Sequence, residues 1–244
     1  MNTNRETAVS KESNMKMTSS DLIRWAGLAA MGAGLLFVFI QTIHPPEILS
    51  SVTTARWAIV HYLSIAMCLF GLLGMAGLYA RQVEAVGWLG LTGYLLFSLF
   101  LALTLAFVFA EALIVPLLGT AAPKFVEGFV GIDSGHASEI NLGALPMVYE
   151  LVGVLYLLGG LLFGIATFRA GILSRWAAGL LAVGAISALP LGVLLPHEFQ
   201  RLAAVPAGFG LAWLGYALWS ERRVRAAEAV PTTASSQLLQ TAAE

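Results

Sequence analysis

Five ionisable side chains lie within or at the ends of long apolar stretches, where they could carry acid–base or metal chemistry. They are His44, His61, Glu111, Glu150 and His197. Imidazole titrates near neutral pH, and a neighbouring carboxylate supplies negative charge or accepts a proton. An ionisable group in an apolar segment usually faces other protein and has a partner, because exposing its charge to hydrocarbon costs at least ~2.5 kcal/mol. The set predicts a pocket for a cation, a proton or a small amphiphile.

Three of these residues are the strongest candidates. Glu111 and Glu150 flank the longest predicted loop, and His61 lies about one turn into an apolar stretch. With His44 or His197 they could also ligate zinc or another divalent cation, which accept imidazole and carboxylate. No histidine pair lies at matching depth on two helices, so haem is not expected. No tight catalytic motif is present, so no catalytic residue is assigned and enzyme activity stays an open question.

The elements that must position these groups are six apolar stretches, each about the 20 residues that cross a bilayer. They cover about 22–42, 57–79, 87–109, 147–168, 176–195 and 202–219. Only 11% of the 244 residues are charged, and the mean hydropathy is +0.82. Because a backbone in lipid must satisfy its own hydrogen bonds, the sequence predicts an all-α bundle of six transmembrane helices.

Domain boundaries follow from composition. Residues 1–20 and 224–244 are polar and are predicted to be a flexible lead and tail, and residues 21–223 form the transmembrane domain. The six stretches pair into three similar hairpins, which predicts parallel repeats about an axis along the membrane normal. A net charge of −1 gives no reason to expect nucleic acid as a partner, and the lipid bilayer is the expected one. Oligomeric state is left open.

Basic residues indicate the threading of the six stretches. Ten of the 13 lysines and arginines fall on the side that holds both termini, and three fall on the other side: Arg56, Lys124 and Arg201. Cytoplasmic segments carry the excess of basic residues. Both termini are therefore predicted to be cytoplasmic, and the five candidate residues face the opposite side. Trp25, Trp88, Trp176 and Trp219 are expected as interface anchors at the cytoplasmic ends, and Trp57 at the other interface.

The extracytoplasmic loop, residues 116–146, is long for a compact bundle. Its residues 124–130 have apolar side chains at helical spacing and predict a short amphipathic helix that could cover the polar cluster. Asp133, Ser134, His136, Ser138 and Glu139 have the residue types of a hydrolytic site, but the glycines among them indicate a turn, and catalysis from this loop is not expected.

Small residues on two stretches indicate which faces meet other helices. His61 shares a face with Ser64, Cys68 and Gly71, and Glu150 shares one with Gly153, Gly160 and Gly164. Close backbone approach along small residues holds helices together in lipid, so His61 and Glu150 are predicted to point inward. Cys68 is the single cysteine, so an intramolecular disulfide is excluded.

The segment from Gly159-Gly160-Leu161-Leu162-Phe163-Gly164 through Phe168-Arg169-Ala170-Gly171-Ile172-Leu173-Ser174-Arg175-Trp176 resembles a turn of uncharacterised small bacterial multi-pass membrane proteins. His44-Pro45, Val60-His61 and Glu111 are similar to features of the same proteins. The resemblance implies a protein of the bacterial cytoplasmic (inner) membrane and brings no activity with it. Two alternatives to a binding or transport protein stay open. One is a structural or regulatory membrane protein without an active site, and the other is a metal-dependent membrane-embedded hydrolase or transferase.

Overall fold

The computed structural model describes residues 18–132, 138–195 and 197–221, and these residues form seven α-helices and no strand. The α-helices are α1 (Ser19–Ile43), α2 (Ala55–Leu113), α3 (Val115–Ala121), α4 (Pro123–Val130), α5 (Leu145–Ala170), α6 (Arg175–Leu194) and α7 (205–221). Short 3-10 helices cover Leu49–Ser51 and His197–Ala204. The predicted all-α class is confirmed.

Four helices are long and apolar enough to cross a membrane: Ser19–Ile43, Ala55–Leu113, Leu145–Ala170 and Phe199–Glu221, the last combining α7 with most of the preceding 3-10 helix. The membrane character expected from composition is therefore confirmed. The predicted number of six separate spans is not confirmed, because four helices of the described residues are of this kind. The second and third predicted spans, 57–79 and 87–109, correspond to two helical parts of α2 that are separated by non-helical geometry at Gln82 and Gly87. The predicted fifth span corresponds to α6, which has 20 residues, but its apolar part, Arg175–Ala188, is too short to count among the four.

Helix boundaries have local causes. Thr18 precedes α1 and forms a capping box with Asp21: each side chain accepts a hydrogen bond from the other residue's backbone N–H, at 3.2 Å in both directions. The Ser174 hydroxyl accepts from the third residue of α6 at 3.3 Å. Gly171 ends α5 with φ of +65°, in the left-handed region that glycine adopts readily. The turn between α5 and α6 is thus encoded locally.

Helix α2 is not straight. A straight helix of its length would extend about 90 Å at ~1.5 Å per residue. Two residues interrupt the helical geometry, Gln82 with φ of −129° and Gly87 with φ of +54°. A residue with a β-carbon rarely adopts the backbone conformation of Gly87, but glycine adopts it readily. The glycine at this position therefore allows the chain to turn. Residues 55–81 and 88–113 are called the first and second arms of α2.

The two arms pack against each other in antiparallel fashion. Near the turn, Tyr79 of the first arm stacks on Tyr94 of the second, with ring centroids 4.7 Å apart. Midway along, a β-carbon at Gly71 would lie 2.9 Å from the side chain of Leu101. For two residues that face each other across the arms, the two residue numbers add up to nearly the same value along the whole hairpin. The first and last turns of α2 therefore meet at the same end of the bundle.

Close approaches at glycine link the helices into a ring. In five pairs, a β-carbon added to the glycine would lie only 2.5–2.8 Å from the nearest atom of the partner residue. The pairs are Gly74–Ala30 (first arm and α1), Gly27–Trp219 (α1 and α7), Gly159–Phe97 (α5 and second arm), Gly164–Ala178 (α5 and α6) and Gly210–Leu181 (α7 and α6). Together with the contact between the arms, these pairs close a circuit of six helical segments. Backbone contact along small residues is the interaction expected between helices in lipid.

The two ends of the bundle carry different polar groups. At one end Arg24 near the start of α1 lies over the ring of Trp219 near the end of α7, with 5.7 Å between the guanidinium carbon and the ring centroid. This end, called the arginine end, contains Arg81, Gln82, Thr167 and Glu221. The opposite end, called the histidine end, contains His44, Trp57, His61 and Glu111. The described chain thus begins and finishes at the arginine end.

Helices α3 and α4 cover the histidine end and are called the roof. The amphipathic helix predicted at 124–130 is confirmed as α4, and its Val126, Phe129 and Val130 are buried against Val52 and Trp57. Trp25, Trp88 and Trp176 are exposed at the arginine end, as expected of interface anchors. Trp57 differs from its prediction as an interface anchor, because the roof buries it completely, at 0% exposure.

Candidate functional site

The candidate site begins with His61 in the second turn of the first arm. Helix α2 starts where it does because the Thr54 hydroxyl accepts from the Trp57 backbone N–H at 3.2 Å, as an N-cap. This start places His61 on the face that also carries Ser64 and Cys68. All three are buried, and His61 is only 1% exposed. The predicted inward orientation of His61 matches its position in the structure.

Glu111 reaches His61 from the last turn of the second arm. Its Oε2 lies 3.2 Å from the Nε2 of His61, and the side chains of Glu111 and His61 are 16% and 2% exposed. The hairpin in α2 accounts for the contact, because it brings residues fifty positions apart to the same depth. Two of the predicted site residues therefore form a direct pair.

The hydrogen bonds of His61 fix where its protons can lie. Its Nδ1 lies 2.8 Å from the backbone carbonyl oxygen of Trp57. A carbonyl oxygen only accepts, so Nδ1 donates and carries a hydrogen. Nε2 then faces the Glu111 carboxylate, and both would present lone pairs unless a proton lies between them. The pair His61–Glu111 therefore needs one additional proton, held by the imidazole or by the carboxyl group, to form a hydrogen bond.

His44 repeats the arrangement beside this pair. Its Nδ1 lies 2.8 Å from the carbonyl oxygen of Pro45, and its Nε2 lies 4.0 Å from Oε1 of Glu47. The rings of His44 and His61 contact edge to face, with centroids 5.4 Å apart and planes at 73°. Two imidazolium charges at this distance repel each other, so protonation of one histidine disfavours protonation of the other.

Arg201 completes the cluster on the side nearest to solvent. Its guanidinium pairs with Glu47, and its side chain is 33% exposed, against 14% for Glu47. Because Arg201 stays charged at any physiological pH, it compensates the charge of Glu47 whether or not His44 is protonated. The cluster runs from Arg201 through Glu47 and His44 to His61 and Glu111, and His61 is its most buried side chain, since Glu111 is 16% exposed. Neither Glu47 nor Arg201 was among the residues predicted from sequence.

Trp57 joins the two arms at the site. Its indole N–H donates to the backbone carbonyl oxygen of Glu111 at 2.7 Å. Its ring lies against the ring of His61, with centroids 4.2 Å apart and planes at 32°. Trp57 precedes His61 by four positions and so lies on the same helix face, which is the only local signal for this contact.

Of the two remaining predicted site residues, Glu150 does not join this cluster. Glu150 is exposed on α5, and its carboxylate forms no ion pair with any residue that the structure describes. The reason lies in its face of α5: a β-carbon on Gly153 would meet nothing within 4 Å, so this face has no helix neighbour at that depth. His197 is the first residue of the second 3-10 helix, and its side chain lies outside the described part of the structure.

The described ranges contain no set of ligands for the alternative of a metal-dependent enzyme. No three histidine, cysteine, aspartate or glutamate residues of residues 18–132, 138–195 and 197–221 come together as a metal-binding group. Of the loop residues with hydrolytic types, Asp133, Ser134 and His136 lie outside these ranges. Glu139 is exposed and pairs with Lys124 at 3.0 Å on the surface.

The arginine end contains ordinary interhelical contacts. Arg81 donates twice to the Glu221 carboxylate, at 2.7 and 3.0 Å, which links the first arm to α7. Gln82 donates to the hydroxyl of Thr167 at 2.8 Å, which links the turn of α2 to α5. Both residues of this second contact are fully buried. These bonds hold helices together and contain no histidine.

A narrow apolar cavity lies between the two ends, in the middle of the ring. Phe37, Phe97, Phe100 and Tyr156 line it with aromatic rings, together with parts of α7. The Tyr156 hydroxyl is buried and has no hydrogen-bond partner among the described residues.

Comparison of the chain with protein-family models, with curated proteins and with solved structures gave no match. The chemistry of the site therefore rests on its own geometry. That geometry is a buried imidazole–carboxylate pair, a second imidazole–carboxylate pair beside it, and an arginine at the solvent side.

Proposed function

We propose that this chain is a six-span protein of the bacterial cytoplasmic membrane with both termini in the cytoplasm. The six segments of the closed ring support this number, since each arm of α2 has more than the ~20 residues needed to cross a bilayer and α6 has 20. The chain begins and finishes its described part at the arginine end. Ten of its 13 basic residues belong to that side of the proposed threading. The histidine end then faces outward.

We further propose that the protein is a proton carrier that takes up its proton at the histidine end. The observation that carries this proposal is the 3.2 Å contact between His61 Nε2 and Glu111 Oε2, with Nδ1 already committed to a carbonyl. Such a pair shares one proton, which either the imidazole or the carboxyl group can carry. His44 and Glu47 supply the next imidazole and carboxylate towards solvent, so a proton has acid–base groups along its way in.

A proton fits this cluster better than a metal ion. Both Nδ1 atoms are occupied by carbonyl groups, and each Nε2 faces its own carboxylate rather than a shared centre. A metal site needs three or four ligands that converge on one point. A row of alternating acids and bases is instead the arrangement that passes protons between neighbours.

The central cavity is small, because its free volume of about 20 Å³ holds about one water molecule. Its wall is apolar apart from the hydroxyl of Tyr156, and it is bounded by α1, both arms of α2, α5 and α7. The first arm carries both His61 and Met67 of the cavity wall, about 9 Å apart along the helix at ~1.5 Å per residue. A change in the charge of the His61–Glu111 pair therefore acts on a helix that also borders the cavity.

The test is proton flux into liposomes that contain the purified full-length chain and a pH-sensitive dye. A potassium diffusion potential drives proton entry. We expect the wild type to acidify the lumen faster than empty liposomes, and Glu111→Gln to reduce the rate at least tenfold. Glu150→Gln is the matched control, since it removes a carboxylate outside the cluster and should retain wild-type flux. A wild type indistinguishable from empty liposomes, or an undiminished Glu111→Gln, contradicts the proposal.

A further inference from the structure

We propose that Trp57 is a positioning residue that aligns Glu111 with His61 and favours the charged form of His61. The inference rests on the proposed function, since it concerns the same proton. Three contacts of Trp57 support it, two made by its buried side chain and one by its backbone carbonyl group.

The first contact holds the position of Glu111. Glu111 lies in the last turn of α2, where the final four carbonyl groups of a helix have no partner within the helix. The Trp57 indole N–H donates to this carbonyl oxygen at 2.7 Å. The bond ties the end of the second arm to the start of the first. It therefore sets the height at which the Glu111 carboxylate meets His61.

The second contact fixes the orientation and tautomer of His61. The backbone carbonyl oxygen of Trp57 accepts from Nδ1 at 2.8 Å, which turns Nε2 towards Glu111. A ring free to rotate about its side-chain bonds would present either nitrogen. This contact uses the backbone, so it persists when the Trp57 side chain is replaced and serves as an internal reference for the other two.

The third contact acts on charge. The indole ring lies 4.2 Å from the imidazole ring at 32°, so the electron-rich face of Trp57 is turned towards His61. An imidazolium is attracted to such a face and a neutral imidazole much less, and the attraction is stronger where water is excluded. Trp57 is 0% exposed, so water does not weaken it.

The roof prevents Trp57 from moving away. Val52, Val115 and Val126 pack against it in one buried cluster, with Phe129 and Val130 beside them. Two other titratable groups contact His61: Glu111 on the second arm, at 3.2 Å, and His44 in the segment after α1, with ring centroids 5.4 Å apart. Further charged groups lie beside His44, namely Glu47, Arg201, which pairs with Glu47, and Arg56, which donates to the carbonyl oxygen of Ile43. Trp57 differs from them in presenting an uncharged aromatic ring, 4.2 Å from the ring of His61.

The test is the protonation of His61, followed by nitrogen NMR of histidine-labelled full-length protein in lipid bilayers. Trp57→Leu removes both side-chain contacts and should lower the midpoint of the His61 titration by about one pH unit, a tenfold change in the protonation equilibrium. Trp57→Phe keeps an aromatic face without the N–H donor and should shift the midpoint by less. Trp213→Leu, at a half-exposed tryptophan of α7, is the control and should leave the midpoint unchanged.

A second readout guards against simple misfolding. Trp57→Phe retains aromatic packing under the roof, and it should remove the pH-dependent component of tryptophan fluorescence that contact with protonated His61 produces. Trp213→Phe should keep that component. An unchanged His61 midpoint in Trp57→Leu overturns the inference even if Glu111→Gln abolishes proton flux. A wild type without proton flux contradicts the proposed carrier, while the shift of the His61 midpoint still tests the role of Trp57.

Discussion

The two ends of the bundle each join α2 to a distant carboxylate, but with different chemistry. At the arginine end, the guanidinium of Arg81 pairs with the carboxylate of Glu221, and their side chains are 26% and 29% exposed. At the histidine end, Glu111 meets an imidazole that is 2% exposed and whose charge depends on a proton. The first pair can act only as a clasp between helices. The second can also respond to pH.

The comparison shows that burial and residue type together determine what each charged pair can do. A partly exposed arginine–glutamate pair contributes little to stability, because water screens its attraction. A buried pair is costly unless its members are hydrogen-bonded or neutral, so its protonation state is coupled to its geometry. The ring of six segments holds both ends in place, and changes to the ring should affect both ends together. Changes to one pair should affect only that end.

The largest effect is expected from Gly34→Val, which disrupts the seam between α1 and α7. A β-carbon at Gly34 would overlap the backbone of Ala212, whose Cα lies 2.8 Å from it. We expect a loss of about 1–3 kcal/mol of stability, as for other overpacked sites. Thermal unfolding in detergent measures it. Gly153→Val is the matched control, because nothing lies within 4 Å of its β-carbon. Equal unfolding temperatures for the two variants would show that the seam is not closely packed.

An intermediate effect is expected from His44→Gln. The variant removes the imidazole between Glu47 and His61 but leaves the His61–Glu111 pair intact. Proton flux into liposomes should fall severalfold and should not vanish, since the proton loses one step of its route and keeps its binding site. Thr42→Val, on the last turn of α1, is a control that should leave flux unchanged. A flux as low as that of Glu111→Gln would instead make His44 part of the binding site.

The smallest effect is expected from Glu221→Gln at the arginine end. The change removes the ionic part of the contact with Arg81 and keeps one hydrogen-bond acceptor. Stability should fall by no more than about 1 kcal/mol, and 1 M salt should abolish the difference from wild type. Proton flux should be unchanged. A flux reduced as strongly as in Glu111→Gln would remove the distinction between the two ends.

Much of the fold could be predicted from sequence, because apolar length and helix caps are local signals. The predicted first, fourth and fifth spans agree with α1, α5 and α6 to within about three residues at each end. The tight connection between the second and third predicted spans, within α2, could not be predicted. Its polar segment from Arg81 to Glu84 has the composition of a loop, but most of it stays helical, with the reversal confined to Gln82 and Gly87.

Only part of the site could be predicted, because the sequence does not show which helix faces meet other helices or which residues pair. His61 and Glu111 were identified because a charge in an apolar segment needs a partner. Glu150 was placed inward by its small-residue face, but on α5 that face meets neighbours only from Gly160 onward, where a β-carbon would lie 2.6 Å from Ala185. Trp57 was assigned to the interface by its position at a helix start. Only the tertiary packing of the roof buries it, and no local pattern indicates that.

The most direct test of the account is the protonation of His61 in lipid bilayers at pH 7. Nitrogen NMR of histidine-labelled protein, with His61 assigned by its loss in His61→Gln, reports both ring nitrogens. We predict that Nδ1 carries a hydrogen in the wild type and in Glu111→Gln, and that Nε2 shares a proton with Glu111 only in the wild type. A neutral ring with its hydrogen on Nε2, identical in the two proteins, would contradict the shared proton on which the account depends.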